Sequence, residues 1–277
     1  MQQTFSQSDL VPVLSSSSGS CLTPANWYAV GIQWASFYLN ALLMKPGLEA
    51  LSQGPDLATY VNWSQGLVVN ASLIEFNVDG LYQQRSQYDG RLMVHSAQEI
   101  WSLIARLNPT LIILPKGAWK TDPSLWQSLP DSLLMVIPFS DLIDAIPPQR
   151  PYGVYYAYQN METFLEQRAL YQDQMAYIAG DLGVDLIRQL KENSPCLIES
   201  DRPASDACLG QIYSGDSVLS LSDEAYEFAF ETLDQSCCCP TCSQHLTKAY
   251  LHHLLANTPL LCQRLLIQHN VAITTKP

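Results

Sequence analysis

The feature that most constrains this chain is a thiol cluster near its C-terminus, Cys237-Cys238-Cys239-Pro240-Thr241-Cys242, followed further on by His269-Asn270. Exposed adjacent thiols are reactive, so a loop this rich in them needs a use for them. Four cysteines within six positions suit a metal better than a disulfide framework. Read as C-x-C-x-x-C, a helical stretch and then His, the segment supplies three sulfur ligands and one nitrogen ligand. That is the donor set of a closed, tetrahedral structural zinc site. Cys237, Cys239, Cys242 and His269 are the expected ligands of Zn2+. Alternate residues of an extended loop face the same way, which makes Cys238 the spare thiol. Two alternatives remain open: Cys238 in place of Cys237 or Cys239, and His245 in place of His269. His252 and His253 are assigned to a helix surface or to structural hydrogen bonds.

The other four cysteines, Cys21, Cys196, Cys208 and Cys262, are scattered and are read as buried free thiols of a reducing, cytoplasmic protein. The opening MQQTFSQSDL has no basic and then apolar character, so no signal peptide is expected, and no apolar run is long enough for a membrane span. With 277 residues and 47% apolar content, the chain can build a large core. Its 14 basic residues stand against 26 acidic ones, a net charge of −12. A protein that grips a phosphate backbone by itself usually carries a basic face, and this composition argues against strong autonomous nucleic-acid binding.

Past a Ser-rich start, frayed at its very beginning, short apolar runs alternate with helical patterns. Expected strands are Leu67–Asn70, Thr110–Pro115, Leu133–Pro138, Gly153–Tyr158, Ala176–Gly180 and Cys196–Glu199. Their apolar runs are too continuous for a one-sided sheet. Ser96-Ala97-Gln98-Glu99 is a capping-box pattern, opening a helix with Ile100, Trp101, Leu103, Ile104 and Leu107 on its buried side. Asn160–Met175, Val184–Asn193, Leu246–Asn257 and Pro259–Asn270 also read as helices, with Pro259 at the start of the last. Repeated strand–helix units predict a parallel α/β sheet, open or closed into a barrel. Trp27, Trp34, Trp63, Trp101, Trp119 and Trp126 are assigned to core packing.

The segment CCCPTCSQHLTKAYLHHLLANTPLLCQRLLIQHN closely resembles the C-terminal zinc region of tRNA-guanine transglycosylases, also called queuine tRNA-ribosyltransferases. Lys248-Ala249-Tyr250-Leu251-His252-His253 and His269-Asn270 match that family's AYLHH-like helix and HN pair, with one extra residue after Cys242. Upstream, Lys45-Pro46-Gly47 and Trp63 resemble its RPG and W landmarks. Asp89-Gly90 with Ser96-Ala97-Gln98-Glu99 resembles its DG…SPE segment, and Tyr177-Ile178-Ala179-Gly180 its YLMG strand. Pro203, Ala207 and Gly210 fall in the loop that follows its nucleophile. The resemblance implies a TIM-type (β/α) barrel over residues 1–235, with a zinc-binding region, 236–277, packed on it. Such a barrel usually takes about 250 residues before insertions. This one is therefore expected to be incomplete or irregular, with a unit lost or reduced to a connection.

The same resemblance assigns the chemistry, and the chain departs from it. Where the family has TDSGGFQ, this chain has Val69-Asn70-Ala71-Ser72-Leu73-Ile74-Glu75, so the acid–base aspartate becomes Asn70. Side chains at Ser72 and Leu73 are expected to fill space that glycines leave open for the base. Lys116, in Leu114-Pro115-Lys116-Gly117, replaces a base-reading aspartate. The nucleophile position holds Glu199, one methylene longer than aspartate. Asp201 and Asp206 are nearby acids, read as exposed loop residues. The family's QG strand end and GGLAVG loop have no convincing counterpart. The resemblance thus implies a non-catalytic, zinc-stabilised subunit that homodimerises or docks a catalytic relative, with tRNA as a further candidate in the assembly. The alternatives are a divergent transglycosylase with Glu199 as nucleophile, and a zinc-stabilised interaction module without a nucleic-acid role.

Overall fold

The computed structural model describes residues 8–121, 129–143, 145–146, 148–215 and 217–276. Twelve strands are found among these residues: β1 Asp9–Val11, β2 Trp34–Tyr38, β3 Gly66–Asn70, β4 Leu81–Arg85, β5 Leu92–Ser96, β6 Leu111–Ile113, β7 Leu134–Pro138, β8 Tyr152–Ala157, β9 Met175–Ala179, β10 Leu197–Glu199, β11 Gln211–Ser214 and β12 Ser217–Ser220. Eight of them form one sheet in the order β1-β10-β9-β8-β7-β6-β3-β2. The registered pairs within it are parallel. From β2 onward the strands of this sheet follow one another in chain order, and β1 lies beside β10. This is the order of a TIM-type (β/α) barrel, with β1 and β2 at the two ends of the hydrogen-bonded series.

The sheet keeps eight strands. Strands β1, β6 and β10 have three residues each, and the helix Phe139–Leu142 after β7 has four. Two strands lie outside the expected set. β1 is a three-residue DLV in a polar stretch, and β2 (WASFY) carries aromatic bulk with a buried serine. The expected strands recur with ends moved by a residue or two.

By internal contacts the chain divides into two compact units: residues 34–179, and residues 8–33 together with 180–276. In the first, β2, β3 and β6–β9 bury side chains on both faces, as a sheet covered by helices requires: Val68, Val69, Ile112, Val136, Val154 and Ile178 are fully buried. Helix Ala97–Leu107 forms as its sequence dictates. Ser96 accepts from the Glu99 amide at 3.3 Å while Glu99 accepts from the Ser96 amide at 2.8 Å, and Ile100, Trp101, Leu103, Ile104 and Leu107 are all buried. The helix opening at Asn160 ends at Ala169, short of the expected Met175, because Met175 begins β9. The hairpin β4–β5 extends between β3 and that capped helix.

In the second unit, β1 pairs with β10, matching Leu10 to Ile198 and Val11 to Glu199. Val184–Asn193 is a helix over the expected span. Helix Arg202–Cys208 follows β10, and β11–β12 is an antiparallel hairpin. Lys248–Asn257 and Pro259–Thr275 close the chain, Pro259 standing at the first position of the last helix, where its missing N–H leaves no bond unmade. Of the tryptophans, Trp27, Trp34, Trp63 and Trp101 are buried. Trp119 is only half-buried, with its indole N–H donating to the Ile146 carbonyl, and Trp126 lies outside the described residues. No helix among the described residues is long and apolar enough to cross a membrane.

Candidate metal centre and strand-end residues

The loop before Lys248 folds on local bonds. Asp234 accepts from the Ser236 amide at 2.7 Å, and the Cys237 amide donates to the Asp234 carbonyl at 3.4 Å. Beyond Pro240 the chain tightens into a single 3₁₀ turn, Cys242–Gln244, whose first amide donates to the Cys239 sulfur at 3.3 Å. Thr241 is buried and donates its hydroxyl to the Leu265 carbonyl at 2.6 Å, tying the loop to the final helix. Cys237 and Cys239 are buried, whereas Cys238 between them is exposed. His245 is also exposed, in a left-handed conformation (φ 55°).

Cys237, Cys239, Cys242 and His269 come together with all four ligand atoms within 4.8 Å of one another, a group that could hold a metal ion. His269 Nδ1 lies 3.2 Å from Cys242 Sγ and 3.7 Å from Cys239 Sγ. Its other nitrogen, Nε2, is 2.8 Å from the Tyr213 carbonyl, an acceptor only, so Nε2 carries a proton and Nδ1 is the nitrogen left to ligate a metal. The hydrogen bond with Cys242 pulls the Cys239 thiol well below its ordinary value, while Cys242 is pushed up by that same bond and by burial. Three sulfurs and one nitrogen, all buried and within 4.8 Å of one another, fit Zn2+ in its structural mode with no position left open for a substrate.

Asn270, fully buried, carries the other half of the HN pair. Its Oδ1 accepts from the Tyr213 amide at 3.0 Å, and its Nδ2 donates to the Gln211 and Pro203 carbonyls at 2.9 and 3.2 Å. Together His269 and Asn270 grip both polar groups of one residue on β11. His252 is half-buried, with Nδ1 2.7 Å from the Leu221 carbonyl, and His253 is exposed, with Nδ1 3.2 Å from the Asn257 side-chain amide.

The other sequence-assigned residues stand at strand ends of the two units. Asn70 is the last residue of β3, fully buried, and its Oδ1 accepts from the Ser72 amide at 2.9 Å. Ser72 is half-buried and Leu73 is 57% exposed. Lys116 is exposed three residues past β6. Glu199 ends β10 with 1% exposure. Asp201 and Asp206 are not exposed loop acids. Asp201 is half-buried and accepts from Ser16 Oγ at 2.7 Å; burial pushes its carboxyl above the ordinary value. Asp206 is buried within a helix and accepts from the Tyr213 hydroxyl at 2.7 Å. Cys196 and Cys262 are buried, but Cys21 and Cys208 are only partly so.

Sequence reasoning missed Asp141, a buried acid just past β7 that accepts from the Gly117 amide at 2.6 Å and so pins the turn after Lys116. It also missed Tyr213. Neither has a local signal: a lone Asp or Tyr in an apolar run does not announce its partner.

Comparison with known proteins adds a family to this geometry. The family profile described as Queuine tRNA-ribosyltransferase matches residues 197–276. A queuine tRNA-ribosyltransferase of Treponema denticola is 30% identical over 96 residues, 35% of this chain and 25% of the relative. One from Clostridium acetobutylicum is 32% identical over 69 residues, 25% of this chain and 18% of the relative. A queuine tRNA-ribosyltransferase accessory subunit 2 of Pongo abelii is 32% identical over 80 residues, 29% of this chain and 19% of the relative. The matched stretches thus span a quarter or less of these relatives' own length.

Proposed function

We propose, from the membership of residues 197–276 in the queuine tRNA-ribosyltransferase family, that this chain is a non-catalytic member that works as a zinc-stabilised subunit in queuosine-type tRNA modification. It pairs with a second copy of itself or with a catalytic relative, and tRNA is the candidate substrate of that assembly. The observation that carries the reading is Asn70. It stands at the C-terminal end of a barrel strand, where such folds place their chemistry. A carboxamide there cannot exchange a proton at neutral pH, and its oxygen is held by the Ser72 amide. Lys116 in place of a base-reading acid supports the same view. The intact Cys3His set beside these replacements indicates that the scaffold, not the chemistry, is what the sequence retains. When bound, zinc supplies structure: Cys237, Cys239, Cys242 and His269 would hold it, and residues 236–277 would act as the metal-binding region.

The test is exchange of labelled guanine into bulk tRNA by the purified, zinc-loaded protein. No incorporation above a boiled control is expected from the chain alone. Incorporation by the chain alone would reject the reading. It would favour the alternative in which Glu199, buried at the end of β10, is the nucleophile.

A further inference from the structure

The second unit contains a continuous chain of hydrogen bonds and ion pairs that starts at the metal ligands and ends at the loops after β9 and β10. Its node is Tyr213, on β11 and 1% exposed. Its carbonyl accepts from His269 Nε2 at 2.8 Å, its amide donates to Asn270 Oδ1 at 3.0 Å, and its hydroxyl donates to Asp206 Oδ2 at 2.7 Å. Asp206 is itself buried, in the helix that opens three residues past Glu199. The same carboxylate oxygen lies 3.6 Å from Arg202 Nε. Arg202 Nη1 reaches Asp181 Oδ2 at 3.0 Å, two residues past the end of β9, and the Arg202 amide donates to Ser200 Oγ at 3.1 Å. Ser200 in turn exchanges hydrogen bonds with Leu182 at 2.9 and 3.3 Å.

We infer that Tyr213 is a positioning residue that couples metal occupancy at Cys237, Cys239, Cys242 and His269 to the placement of helix Arg202–Cys208, and through it to the segment that follows Glu199. This inference rests on the metal reading above. The links from His269 through Tyr213 to Asp206 are short, buried bonds with little slack, and Arg202 extends them to Asp181 nearer the surface. A metal held on Nδ1 would fix the His269 ring, and the ring in turn would fix the Tyr213 carbonyl through the 2.8 Å bond from Nε2. The backbone so fixed sets where the phenol hydroxyl can meet Asp206. Without metal, the ring loses one of its two anchors, and the Tyr213 carbonyl is held by a ring free to tilt, while Asn270 and the β11–β12 pairing keep the rest of its backbone in place. The coupling is reciprocal: whatever the metal does for Asp206, Asp206 does for the metal.

Tyr213→Phe tests this because it keeps the ring and both backbone bonds and removes only the hydroxyl. Zinc affinity is measured by chelator competition, and hydrogen exchange is followed over residues 202–208, on the full chain. The account expects one zinc per chain in the wild type and in Tyr213→Phe. Affinity in the variant should fall by about three- to tenfold, the net scale of one ordinary intramolecular hydrogen bond. Exchange at 202–208 should rise when the wild type is stripped of metal, and the loaded variant should already show part of that rise. Asp206→Asn, which keeps the packing but weakens the acceptor, should shift both readouts in the same direction, and it serves as the test if Tyr213→Phe does not fold. A merely structural Tyr213 would lower the melting temperature equally with and without metal. Unchanged zinc affinity in both variants, with stoichiometric binding, overturns the coupling. Failure of the wild type to bind zinc overturns the metal reading instead.

Discussion

Asn270 offers the most quantitative test of how the C-terminal part is held together. Asn270→Ala removes an amide whose oxygen takes the Tyr213 N–H and whose nitrogen serves the Pro203 and Gln211 carbonyls, all at a fully buried position. Each buried group left without a partner costs about 1–3 kcal/mol. Some relaxation among three neighbouring groups is expected, so the total is about 3–5 kcal/mol. For a chain of this size each kcal/mol moves the melting temperature by about 2–4 °C, giving a fall of roughly 10 °C. The assay is thermal unfolding followed by circular dichroism, with metal present throughout. Asn270→Asp sharpens the logic, since it keeps the shape and the acceptor but sets a carboxylate against two carbonyls. It should destabilise at least as much as alanine. A loss of only about 1 kcal/mol in both variants would refute the reasoning, because it would mean that the three backbone groups find other partners.

Three further outcomes follow from the same structure. Cys242→Ser should release the metal and lower the melting temperature, while Cys238→Ser, at an exposed thiol, should change neither; elemental analysis beside a thermal melt decides it. Ser96→Ala should cost about 1 kcal/mol by removing the N-cap, read from the urea midpoint. The capping-box bonds from Ser96 hold the Glu99 carboxyl below its ordinary 4.5. Its contribution is therefore present above that pH and fades as pH falls through the depressed folded value, and in Ser96→Ala this dependence should flatten. Gly66→Ala should weaken the β2–β3 pair, because an added Cβ would lie 2.3 Å from the Trp34 ring, and a melting temperature matching the wild type would contradict that contact.

What could be read from the sequence divides along physical lines. Six barrel strands are legible because a sheet buried on both faces writes itself as unbroken Val, Ile and Leu. β1 and β2 escape because three residues carry no period and because WASFY breaks its apolar run at Ser36. Helix Ala97–Leu107 is legible to its first residue, since a capping box is a local bond. The end of the helix that starts at Met161 is not, because only the sheet fixes where β9 begins. The metal cluster is legible because ligand spacing is a local code, and the exposure of Cys238 and His245 places the two alternatives outside the cluster. Asp141, Asp206 and Tyr213 are silent because their partners lie on other elements. The same blindness made Asp206 look like a loop acid when it is a buried acceptor.

The measurement that bears most directly on the account is native mass spectrometry of the purified chain, with and without chelator, beside Cys242→Ser. The account predicts one zinc ion per chain, retained through purification, lost on chelation with a fall in melting temperature, and absent from the variant. A chain that purifies without metal, binds none when zinc is supplied, and melts at the same temperature as Cys242→Ser would contradict it.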